Sequence, residues 1–166
     1  RVGFAARWDQ EKQPDFYMDL IERVFEDNPY SNIKFCVFAG SKLKSNNDSY
    51  MQKHIERILA LPLVDKIAIQ QANFKVVVDA VNSTGGISIP PLLSALGVTV
   101  VPLYCRPNGD FPHNPEPLKE HLSDLMELVV AQQADLGVVV DPDVDRLAFV
   151  DEKGAMFGEE YTLVAV

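Results

Sequence analysis

Three short apolar runs, Lys75–Asp79 (KVVVD), Thr99–Leu103 (TVVPL) and Leu136–Val140 (LGVVV), restrict this chain more than any other feature. Each has about the length of a strand and is too short for a stable helix. None alternates with polar residues, so each needs cover on both faces. That is the condition of a parallel or mixed sheet inside an α/β fold. The segments between them fit helices. Residues 88–96 form one, closed by Gly97, and Pro90 and Pro91 are then expected in its first turn. Residues 118–132 form another, with Leu118, Leu122, Leu125, Met126 and Val129 or Val130 on its inner face. Leu147–Val150 reads as a further strand, and Glu152-Lys153-Gly154 as a hairpin turn into 155–157. The expected fold is α/β, a Rossmann-like three-layer sandwich with a mixed, mostly parallel sheet.

The first part of the chain reads as a βαβ unit. Residues 2–6 and 33–39 are apolar, and 14–27 carry Phe16, Tyr17, Leu20, Ile21, Val24 and Phe25 on one helical face. The polar stretch 40–49 (GSKLKSNNDS) marks a boundary. Helices are expected at 50–61 and 64–72. The division is therefore 1–49, a helical linker 50–71, and an α/β unit 72–166. A composition 47% hydrophobic and 23% charged suits a soluble globular chain. The net charge of −9 argues against nucleic acid as a partner, because phosphate backbones select basic faces. No apolar run reaches the ~18 residues of a membrane span. Cys36 and Cys105 lie in strand-like runs without metal-ligand spacing, as expected of reduced thiols in a cytoplasmic protein. A start at Arg1 and an apolar, uncapped end suggest part of something longer.

The chemistry concentrates in GVVVDPDVDRLAFV, residues 137–150. Asp141, Asp143 and Asp145 follow a buried strand at alternate positions, so an extended loop points all three carboxylates one way. Pro142 and Val144 both disfavour positive φ, which also implies an extended loop. Three carboxylates so placed repel one another, and a hard divalent cation relieves the repulsion with oxygen ligands. The carboxyl end of a strand is also where α/β sheets bind ligands. Arg146 adds a planar fork of donors suited to a phosphate. Three other readings compete. An EF-hand loop shares the spacing, up to Glu152 at its twelfth position, but needs Gly where Arg146 stands and helices where strands flank. The others are a solvated acidic turn and the DxD motif of a nucleotide-sugar transferase.

Residues 104–117 hold four prolines, with His113, Asn114 and Glu116 among them. His113 reads as a surface or packing residue rather than a catalyst, and His54 and His121 read as solvent-facing on their helices. Ser83 and Thr84 read as helix caps. Gly85 and Gly86 read as a close-packed turn, with a phosphate cradle at the helix N-terminus as the lesser alternative.

DPDVDR (141–146) resembles the metal loop of the α-D-phosphohexomutases, the phosphoglucomutases and phosphomannomutases. KVVVDAVNSTGG (75–86) resembles the strand and turn that open their second domain. GDFPHNPEP (109–117) resembles its proline-rich loop, and DEKGAMFGEEYTLVAV (151–166) its exit hairpin and helix. The resemblance spans roughly 50–166. It implies Mg2+ held by Asp141, Asp143 and Asp145, with Arg146 stabilising a transferred phosphate. It implies a phosphosugar substrate whose 1-phospho and 6-phospho hexose forms interconvert through a phosphoserine enzyme. The family's TASHNP-like serine loop and the sugar and phosphate loops of its domains 3 and 4 have no counterpart in this sequence, so domains 1, 3 and 4 are missing partners and this chain alone is expected to be inactive. Residues 1–49 show a weaker similarity to the nucleotide-binding domain of GT-B glycosyltransferases. That similarity implies a donor pyrophosphate held by Arg7 and Lys12, and an engineered chimera as one origin of the chain.

Overall fold

The structure is a computed structural model that describes residues 2–7, 19–23, 35–40, 47–158 and 161–162. Its centre is a five-stranded mixed sheet in the order β4-β3-β5-β6-β7. The strands are β3 (Lys75–Asp79), β4 (Thr99–Leu103), β5 (Leu136–Val140), β6 (Leu147–Asp151) and β7 (Met156–Phe157). β3 runs parallel to β4 and β5, while β6 and β7 extend the sheet antiparallel. The apolar runs behave as their composition requires. Alternate residues of one strand feed two cores. Val76, Val78, Val138 and Val140 pack on one face with Ile89 of α4 (Gly85–Ala95) and with Val144. Val77 and Val139 pack on the other face with Leu125 and Val129 of α5 (Ser123–Ala131) and with Leu122, which precedes it. Helix over sheet over helix is the expected three-layer arrangement.

Details differ where local chemistry competes with pattern. Helix α4 begins at Gly85 rather than near 88, so Pro90 and Pro91 lie in its interior and not in its first turn. Its far end closes as expected. Gly97 takes φ +86, its N–H reaches Ser94 O at 2.9 Å, and Val98 N–H reaches Leu93 O at 3.0 Å, the paired bonds of a Schellman cap. On α5, Val129 is buried and Val130 is 51% exposed. Leu118 stays outside the helix and is also exposed, because the chain first makes a single 3-10 turn at Lys119–His121. The β6–β7 turn centres on Gly154 at φ +77, and Asp151 Oδ1 accepts from Lys153 N at 3.0 Å and Ala155 N at 2.7 Å.

β1 (Val2–Arg7) and β2 (Phe35–Gly40) pair in parallel, as a βαβ unit requires, with α1 described over 19–23. On α1, Ile21 is buried, whereas Leu20, expected on the same face, is exposed. Helix α2 (Asn47–Leu59) ties to α1 through Arg57, whose Nη2 lies 2.6 Å from Asp19 and Nε 3.1 Å from Glu22. Helix α3 (Lys66–Ala72) is capped by Asp65, which accepts from Ala68 N at 2.9 Å. Two histidine expectations fail. His54 is fully buried rather than solvent-facing, and His121 is half-buried, with Nδ1 3.0 Å from Glu116 O. No helix among the described residues is long and apolar enough to cross a membrane.

Candidate metal centre

Because β3, β4 and β5 are parallel, the segments that leave them emerge on one edge of the sheet. These are the turn 80–84, the loop 104–118 and the loop 141–146. The aspartate loop is built on Asp141, at the tip of β5. Its carbonyl accepts from Val144 N at 3.2 Å, and its Oδ1 accepts from the N–H groups of Asp145 at 3.0 Å and Arg146 at 3.2 Å. The chain therefore turns here instead of running extended, and Val144 takes φ +65. The extended loop expected from Pro142 and Val144 is not formed. The reason is burial. The Val144 side chain is fully enclosed in the core under α4, and that packing holds a β-branched residue where such residues are rare.

The tight turn brings the three carboxylates together. Asp141 is buried, Asp143 and Asp145 are exposed, and one oxygen of each lies within 4.8 Å of the others. Among the described residues this is the one such acidic group positioned for a shared cation. Burial pushes the Asp141 carboxyl up to about 7, the Arg146 N–H opposes this, and the nearby Asp145 and Asp143 add to it. A carboxylate so destabilised in its charged form is what a divalent cation relieves. The donor set, all carboxylate oxygen with two members open to solvent, suits a hard ion that keeps some water.

Other elements hold this loop. Ser83 Oγ and Thr84 Oγ1 both donate to Pro142 O, at 2.8 and 3.0 Å. They are thus not caps of α4: Thr84 occupies the cap position but makes no side-chain cap bond. The glycines after them are packing glycines, as expected. A Cβ at Gly85 would lie 2.6 Å from Val140 Cγ2, and one at Gly86 would collide with the Cys105 carbonyl. Asn82 ties the turn to the proline-rich loop. Its Nδ2 donates to Asp110 O at 2.9 Å, and its Oδ1 accepts from Arg106 N at 3.1 Å.

Arg146 is half exposed, and its Nη1 lies 2.6 Å from Glu116 Oε1 in that loop. His113 is not a bystander. Its Nε2 lies 3.0 Å from Oδ2 of the buried Asp79, its Nδ1 lies 2.7 Å from Asn114 O, and its pKa is raised, first by the bond to Asp79. No sequence pattern points to Asp79–His113, since the partners are 34 residues apart and meet only through the fold. Cys105 is a free, half-buried thiol that donates to Val78 O at 3.2 Å. Burial, with Asp79 nearby, pushes it up to about 11. Cys36 lies in β2 and its side chain is outside the described set. Arg7 ends β1, but its side chain, like the whole of Lys12, also lies outside the described residues.

Residues 49–154 match the family described as phosphoglucomutase/phosphomannomutase, alpha/beta/alpha domain II. A "Phosphoglucomutase/phosphomannomutase" of Thermococcus kodakarensis is 43% identical over 104 residues, covering 62% of this chain and 23% of its own length. A protein of Methanosphaera stadtmanae named "Probable phosphoglucosamine mutase" is 30% identical over 168 residues, covering 98% of this chain and 34% of its own. A crystal structure of a phosphoglucomutase/phosphomannomutase family protein from Burkholderia thailandensis aligns over 86% of this chain and 28% of its own, with a TM-score of 0.54 and 27% identity. The chain thus spans only a quarter to a third of the length of these relatives. The 98% coverage also corrects the glycosyltransferase similarity drawn for residues 1–49. A mutase-like sequence runs through them, so no second enzyme and no chimera is needed to account for that segment. The family match over 49–154, a mixed sheet with helices on both faces and the relatives above agree, and the chain belongs to the phosphoglucomutase/phosphomannomutase family, with residues 49–154 corresponding to its α/β/α domain II.

Proposed function

We propose that this chain is the Mg2+-binding part of a phosphohexomutase that interconverts hexose 1-phosphate and 6-phosphate through a phosphoserine enzyme. The observation that carries the reading is the convergence of Asp141, Asp143 and Asp145 within 4.8 Å at the tip of a central strand. When bound, Mg2+ supplies positive charge against the oxygens of a phosphoryl group, the main requirement of phosphoryl transfer. The chain's own residues do the rest. The three carboxylates hold the ion, the Ser83 and Thr84 hydroxyls fix the loop that carries them, and Arg146 offers paired N–H donors to a phosphate. A phosphosugar is the substrate in this reading, and a cytoplasmic location goes with it. The sequence contains no TASHNP-like serine loop, so in this reading the chain does not turn over substrate without domains 1, 3 and 4. Within the proposal the metal-binding unit is 72–166, preceded by the helical linker 50–71 and the βαβ segment 1–49.

Calorimetric titration of Mg2+ into the chain and into D143A tests this. One site is expected, weakened at least tenfold in D143A. Because Asp143 is exposed, the metal-free variant should melt no lower than the parent. Equal binding by both chains refutes the proposal.

A further inference from the structure

His113 stands between two acceptors. One ring nitrogen faces the Asp79 carboxylate at 3.0 Å and the other the Asn114 carbonyl at 2.7 Å. A neutral imidazole has one N–H and can satisfy only one of them, whereas an imidazolium satisfies both. Asp79 is fully buried and is fixed through Oδ1 by Val81 N–H at 2.9 Å, so its second oxygen needs a donor there. Titratable groups surround the imidazole. They are Asp79 from β3, Tyr104 with ring centroids 5.7 Å apart, Asp124 of α5 bonded to the Tyr104 hydroxyl, and Cys105 close to Asp79. From His113 the loop continues stiffly to the metal centre. Asn114 Oδ1 accepts from Glu116 N at 3.1 Å, and the Glu116 carboxylate holds Arg146 at 2.6 Å. Pro115 and Pro117 flank Glu116 and limit its backbone.

We propose that His113 is a positioning residue for Arg146: as an imidazolium bridging Asp79 and the Asn114 carbonyl, it locks the proline-rich loop so that Glu116 presents the Arg146 guanidinium beside the aspartate loop. Deprotonation removes one of the two bonds. The lock is therefore closed below the His113 pKa and opens above it. The inference takes its functional meaning from the reading of Arg146 as a phosphate-binding residue, but the lock itself involves neither metal nor phosphate.

The test is a pH titration of the metal-free 15N-labelled chain, reading the His113 ring nitrogens, the Glu116 amide and the Arg146 Nε–H together. Both His113 nitrogens should stay protonated to a higher pH than in the urea-unfolded chain. The Glu116 and Arg146 signals should then shift with the same midpoint. In D79N that midpoint should fall, and Arg146 should follow it. H113Q, which keeps a neutral donor, should lose the pH step at the Glu116 amide, which bonds Asn114 and not Asp141. Arg146 and Glu116 signals that do not move through the His113 transition overturn the proposal, as does a Glu116 step that persists in H113Q. If a variant fails to fold, the parent titration decides alone. A chain that shows the coupled step but binds no Mg2+ would retain the lock and lose the mutase reading, so the two failures are distinguishable.

Discussion

Val144 shows how one residue sets the geometry of the centre. Its backbone sits at φ +65, a conformation costing on the order of 1–3 kcal/mol for a residue of this kind, while burying a valine returns about 1.5–3 kcal/mol. The two terms nearly balance, so the usual ranking of truncations should invert. V144A loses packing but keeps a Cβ in the left-handed region, whereas V144G loses slightly more packing and all of the strain. V144G should therefore be no less stable than V144A in chemical denaturation. A V144G variant less stable by more than about 1 kcal/mol would show that strain is not stored there. The aspartate spacing could be read from the sequence because period-two geometry predicts a shared direction. The turn could not. Pro142 and Val144 argue locally for an extended loop, and only the tertiary demand to bury the Val144 side chain overrides them. His113 and Glu116 were equally hidden, since their roles depend on partners 30 or more residues away.

Among the elements, the central strands were legible because fully apolar runs of about five residues leave little alternative in an α/β chain. Helix α4 was legible at its glycine-capped end and not at its start. Proline preference favours the first turn, but the Gly85-Gly86 pair lets the helix begin earlier, in direct contact with β5 and with the strand-exit backbone at Cys105. G86A should therefore force a backbone shift. Its expected destabilisation is about 1–3 kcal/mol, as for other overpacking changes, with weakened Mg2+ binding because Ser83 and Thr84 move with the turn. A G86A chain with unchanged denaturation midpoint and Mg2+ affinity would separate the turn from the aspartate loop. The hydroxyl clamp on Pro142 has no sequence signature, because Ser-Thr before a helix reads first as a cap.

For the whole molecule, two raised groups give stability a common pH sense. Asp141 moves from 3.8 to about 7, so the folded state holds its proton more tightly than the unfolded state does. Its contribution is complete below 3.8 and is lost as pH rises towards 7. His113, raised above 6.5 by Asp79, adds a contribution that is lost on passing above its own folded value. The metal-free chain should thus melt lower at pH 7.5 than at pH 5.5. Added Mg2+ should raise the melting temperature more at the higher pH. Thermal scans with and without Mg2+ check this, and a larger Mg2+ effect at pH 5.5 would contradict it. The three-layer sandwich was anticipated as a whole, because the strand runs and helical periodicities agree across the chain. The glycosyltransferase similarity of residues 1–49 rests on a short basic motif that many βαβ units can share, and the relative covering 98% of the chain does not bear it out.

In the proposed function the three aspartates share one divalent cation. Mn2+ makes this visible, because its unpaired electrons broaden nearby amide signals in NMR. At substoichiometric Mn2+, broadening should centre on residues 141–146, extend next to 82–86 across the Pro142 contact, and reverse on addition of Mg2+. Broadening spread over other acidic surface such as Glu120, Asp124 and Glu127, or broadening at the loop that Mg2+ does not reverse, would refute a cation shared by the three aspartates.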